Sequence, residues 1–114
     1  MNQEQLNAIK ERVEKATPGP WEIDKNSDDS DFITDIWFNQ DGDHVEVHDK
    51  SILQSVLNAL FIAHAREDVP ALVAEVDMLR QALEKVMEVE APIMEGWETP
   101  TYKIAREALG GEAI

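Results

Sequence analysis

The chain has 114 residues, of which 24 are acidic and 10 basic, giving a net charge of −14. That balance argues against nucleic acid as a partner, because phosphate binding depends on Lys and Arg, and against anionic membrane surfaces for the same reason. With 43% hydrophobic residues and no cysteine, general disorder, disulfides, thiolate zinc sites and a Cys nucleophile are all excluded.

Length predicts one domain over residues 1–114. A core this small makes homodimerisation an expected source of further burial. The N-terminal run Met1–Ala16 is polar and mixed in charge, without the apolar stretch of a signal peptide. The longest apolar run, Ala59 to Ala63, is too short to span a bilayer. A cytoplasmic location is the expectation. The acid is concentrated: residues 21–50 hold ten acids and two bases, a net of −8, whereas residues 1–20 hold three of each.

In chain order, Leu6, Ile9 and Val13 share one helical stripe, and Thr17-Pro18-Gly19-Pro20 ends that helix. Three short strands follow. Trp21 and Ile23 alternate with Glu22 and Asp24; a polar loop covers Asn26 to Asp31; a second strand runs from Phe32 to Phe38; and His44 to His48 alternates as the third. Asp41-Gly42 is a two-residue hairpin signal. That turn predicts Phe38 opposite Val45 and Ile36 opposite Val47, on an apolar face with Phe32 and Thr34. The other face pairs Asn39 with His44, Trp37 with Glu46, and Asp35 with His48.

Ser51 is the expected N-cap of a helix to about Arg66, with Leu53, Val56, Leu57, Leu60 and Phe61 crowding one side. Asp68 is the expected cap of a further helix, with Pro70 in its first turn. Val69, Leu72, Val76, Leu79, Leu83 and Val86 then form a heptad-like seam that Ala91-Pro92 stops. Thr99-Pro100 starts a last short helix carrying Ile104, Ala108 and Leu109, and Gly110-Gly111 ends it. The fold class is therefore α+β: an N-terminal helix, a three-stranded antiparallel meander, then three helices including one long amphipathic helix.

Two stretches carry a resemblance. Ala16 to Trp21 reads ATPGPW, and Asn58 to Leu83 contains A-x-FIA-x-AR-x-DVPAL and a later LR, with Ala59, Phe61 to Ala63, Ala65, Arg66, Asp68 to Leu72, Glu75, Leu79 and Arg80 in matching positions. This pair, in this order, resembles small, mostly uncharacterised phage and bacterial proteins, including phage proteins of the Ead type. Val73 is a mild apolar departure. The match covers under a third of the chain and does not extend to its middle. It implies a phage or prophage origin and brings no catalytic residues.

Four residues stand out as binding candidates. Trp21 is delivered by a rigid turn. Trp37 is placed on the polar face of the hairpin, where an exposed aromatic can anchor a partner. His64 and Arg66 pair a potential base with an anion clamp. No Ser-His-Asp pattern, phosphate-cradling glycine loop or HExxH is present, so no catalytic residue is assigned. His44, Glu46 and His48 with Asp35 offer metal-ligand chemistry. However, His44 and His48 lie about 13 Å apart along an extended strand, so no metal site and no cofactor are expected. Asp41-Gly42-Asp43 lacks the spacing of a calcium loop.

The sequence thus points to a non-enzymatic phage accessory protein acting through protein–protein interaction, with a host or phage protein as partner and its acidic surface as one means of binding. The alternative is a small-molecule-binding protein or small hydrolase with a pocket near Trp21, His64 and Arg66.

Overall fold

The computed structural model describes residues 1–25, 33–91 and 96–110. The mixed helix-and-sheet class and the order helix-then-meander are as the sequence predicts. The elements are α1 (Gln3–Lys15), β1 (Glu22–Lys25), β2 (Ile33–Trp37), β3 (His44–His48), α2 (Ile52–Val89) and α3 (Pro100–Ala108). The predicted loop Asn26–Asp31, Phe32, Pro92 and Gly111 lie outside the described residues. No helix among the described residues is long and apolar enough to cross a membrane.

Two compact units divide the chain: Glu11–Ala71, and Met1–Lys10 with Leu72–Ile114. In the first, the strands form one antiparallel sheet in the order β1-β2-β3. The predicted faces hold, but the pairing of β2 with β3 differs by two residues. Ile36 faces Val45, Thr34 faces Val47, Asp35 faces Glu46 and Trp37 faces His44. The cause is Asn39. Its side-chain oxygen accepts from the amides of Asp41 at 2.9 Å and Asp43 at 3.2 Å, and its Nδ2 donates to the Asp43 carboxylate at 2.8 Å. Phe38 N–H closes the wider loop on the Asp43 carbonyl at 2.9 Å. Gly42, at φ 99°, takes the left-handed position within it. Because side chains alternate with period two, a two-residue shift changes partners and preserves faces. His44, Glu46 and His48 are exposed as predicted; Val45, on the apolar face of an edge strand, is still 42% exposed.

The sheet packs on the first part of α2, and here the predicted helix face is wrong. The buried stripe is Ser55, Ala59 and Ala63, at i, i+4 and i+8, not the large residues. Small side chains let the helix backbone come close to Ile36, with Trp21, Ile23, Phe38 and Val47 packed around the contact. Leu53, Leu57 and Phe61 are left exposed, Phe61 by 77%. Thr34 and Ser55 are fully buried and satisfy each other, their hydroxyl oxygens 2.7 Å apart. Ser55 Oγ donates to the Val47 carbonyl at 2.9 Å, so Thr34 must supply the proton between the two hydroxyls. Ser51 caps α2 as predicted, accepting from the Gln54 amide at 3.1 Å.

The second correction concerns helix number. The predicted break at Arg66–Pro70 does not occur, and Asp68 is not an N-cap. α2 runs 38 residues with Pro70 inside it, so two helices follow the sheet among the described residues, not three. Proline removes one donor, the amide that would meet the Arg66 carbonyl, but its φ is helical. Arg66 and Glu67 before it and Ala71 and Leu72 after it are good helix formers, so the flanking turns hold.

In the second unit, Met87, Ala105 and Leu109 are buried, with Leu83, Val86 and Tyr102 packed on them. Of the predicted seam, Val76, Leu83 and Val86 are half-buried, whereas Leu72 and Leu79 are exposed. α3 starts at its Thr99 cap, which accepts from the Tyr102 amide at 3.1 Å. Ala105 and the capping Leu109 are buried, and Ile104 is exposed. Arg80 is 93% buried by its 7% exposure and works as a tie. Its Nε donates to Gln3 Oε1 at 3.1 Å, and its terminal nitrogens donate to the Met1 carbonyl at 3.1 Å and the Leu109 carbonyl at 3.4 Å.

Candidate functional site

The candidate residues all lie in the Glu11–Ala71 unit, but they do not converge on one pocket. Trp21 is half-buried. Its ring meets Phe38 edge-on at 4.7 Å and 62°, and its Nε1 donates to the Thr17 carbonyl at 3.0 Å. Arg66 reaches the same carbonyl from α2, its Nε at 2.8 Å. Thr17 is thus the meeting point of the proline-rich turn and the helix, 49 residues apart. Gly19 belongs to the same contact: a Cβ built on it would overlap the Glu67 carboxylate and lie 3.0 Å from Arg66 Cγ.

Beside this junction lies an open groove of about 300 Å³. Its walls are Val13 of α1, Ala16 just beyond it, Trp21, and Phe61, Ala65 and Val69 of α2, and its rim carries Arg12 and Arg66. Among the described residues neither guanidinium is ion-paired with a carboxylate. Two unpaired cations beside an almost wholly apolar surface are a local exception in a chain of net charge −14.

His64 does not share this groove. It is exposed and lines a smaller cavity of about 170 Å³ with Trp21, Leu60, Ala63 and Glu67. No Ser or Thr hydroxyl lines that cavity, so no hydroxyl nucleophile stands beside the imidazole. Trp37 occupies a third place. It is half-buried, its ring is 4.6 Å from that of His44 at 32°, and it lines a cavity of about 340 Å³ with Pro18, Gly19, Pro20 and Glu22.

Sequence reasoning missed Arg12, Phe61 as a groove wall, and the Thr17 carbonyl. A signal for Phe61 was present. Ser55, Ala59 and Ala63 form a small-residue stripe at helical spacing, and choosing it as the buried face would have turned Leu53, Leu57 and Phe61 outward.

Compared with known proteins, the chain matches no protein-family model, no curated protein and no solved structure.

Proposed function

We propose that this chain is a non-enzymatic accessory protein of phage type that acts by binding another protein through the groove bounded by Trp21, Phe61 and Val69. The observation that supports this reading most is the exposed apolar stripe Leu53, Leu57 and Phe61, which recurs every four residues along α2 and leads to the groove. Large apolar side chains set contiguously on a surface mark interaction sites, whereas scattered ones do not. The occupant that fits is an amphipathic segment of a host or phage protein. Its apolar side chains would lie on Phe61 and Trp21, and an acidic side chain would meet Arg12 and Arg66. The acidic remainder of the surface repels misplaced acidic partners and favours this one positive rim.

The alternative, a small-molecule pocket or small hydrolase near Trp21, His64 and Arg66, draws less support. Arg66 and His64 line different cavities, and the one with His64 lacks a hydroxyl.

A photo-crosslinking residue placed at position 61 tests the proposal in host lysate, with native mass spectrometry of the purified chain as the second arm. A protein adduct that is lost when Arg12 and Arg66 are both changed to Glu supports it. A co-purifying small molecule with no protein adduct would favour the alternative.

A further inference from the structure

We propose that Asp35, His44 and Glu46 form a binding site for a divalent transition-metal ion of the zinc class, on the sheet face turned away from α2. The argument begins with the register. Asp24 stands opposite Asp35, and Asp35 opposite Glu46, so three carboxylates lie abreast across β1, β2 and β3. Like charges directly opposed across strands destabilise a sheet. Among the described residues no Lys or Arg forms an ion pair with any of the three. A cation at this row removes that repulsion.

His44 turns the row into a chelating set. It precedes Glu46 by two residues on β3 and so shares its face. One ligand atom each from Asp35, His44 and Glu46 lies within 4.8 Å of the other two. Ligand atoms around a tetrahedral zinc sit roughly 3.4 Å apart, given bonds of about 2.0–2.2 Å. Modest rotation of the exposed His44 and Glu46 side chains closes the difference. Imidazole plus two carboxylates is a borderline-to-hard donor set suited to zinc and its neighbours, with water completing the shell.

The surroundings prepare the ligands. His44 Nδ1 is 2.8 Å from the Gly42 carbonyl. A carbonyl only accepts, so Nδ1 carries the proton and Nε2 keeps its lone pair for a metal. The Trp37 ring lies against the imidazole, 4.6 Å away. His48 Nε2 is 3.0 Å from Glu46 Oε2 and steadies that carboxylate. The expectation against a metal took His44 and His48 as joint ligands. In the observed register His48 supports a ligand, and Asp35 supplies the third one from the neighbouring strand.

The test is calorimetric titration of the full chain with zinc chloride, with circular dichroism confirming the fold of every variant. The expected result is one zinc per chain with micromolar affinity. Affinity should fall at least roughly tenfold in His44→Ala and in Glu46→Gln and stay unchanged in His64→Ala. Glu46 is exposed, so Glu46→Gln keeps the test valid even if Asp35→Asn unfolds. Absence of binding to folded wild type at about millimolar zinc overturns the proposal. So does binding that His44→Ala and Glu46→Gln leave intact, since the ion would then sit elsewhere.

Discussion

Trp21 and Arg66 donate to one and the same oxygen, the carbonyl of Thr17, at 3.0 and 2.8 Å. A carbonyl has two lone pairs, and here a neutral indole and a charged guanidinium take one each. The proline-rich turn is thereby closed on itself by its own tryptophan and fastened to α2 by an arginine from far along the chain. The two stretches that carry the resemblance are thus one piece of structure: Thr17, Gly19 and Trp21 come from the first, Arg66 from the second.

That junction makes the first prediction. Arg66→Ala should lower stability by about 1 kcal/mol through the lost bond to Thr17. Gly19→Val should cost about 1–3 kcal/mol, because the branched side chain must displace Arg66 Cγ as well as the mobile Glu67 carboxylate. If the two substitutions act on one contact, the double variant will lose less than the two losses added. Urea denaturation of the four proteins measures this, and full additivity would refute a shared junction.

Thr34 and Ser55 make the second. Ser55→Ala removes both the acceptor for Thr34 and the donor to Val47 in a fully buried place. The expected loss is about 1–3 kcal/mol. Thr34→Val in the Ser55→Ala background should recover part of it, because no hydroxyl is then left stranded. Chemical denaturation with a constant m-value would confirm that the change lies in the folded state. A double variant less stable than Ser55→Ala alone would contradict the stranding of the Thr34 hydroxyl.

The third concerns self-association. We propose a homodimer that covers the exposed Leu72 and Leu79 of α2. Leu79 is 53% exposed, so Leu79→Glu should leave the circular dichroism spectrum unchanged and convert dimer to monomer in light scattering. Loss of helicity would instead place Leu79 in a core. A wild-type chain that is monomeric at high micromolar concentration would end the homodimer proposal.

Much of the fold was legible because it rests on local periodicity. Alternation in His44 to His48 and the caps at Ser51 and Thr99 are written within a few residues. The β2–β3 partners were misread because Asn39, outside the Asp41-Gly42 signal, builds a longer loop with its side chain. The continuous α2 was misread because a proline signals a boundary only when the flanking turns are weak. The candidate site was legible only in part as an arrangement. Trp21 and Arg66 could be nominated as neighbours, but their common acceptor is a backbone atom, which leaves no mark in the sequence. Asp35, His44 and Glu46 were legible as potential ligands together with His48, but which three converge depends on the register that Asn39 sets.

The row of acids across the sheet has a bearing on how this protein behaves in a crowd of its own copies. An open sheet of three strands ends in two edges, β1 and β3, each offering backbone donors and acceptors to any further strand. A second copy joining in register at β3 would bring its own Glu46 alongside Glu46, and joining at β1 would bring acid against Glu22 and Asp24. Charge on edge strands is a common natural guard against sheet-to-sheet growth. The repulsion that weakens the isolated sheet a little also opposes the addition of a further copy at either edge.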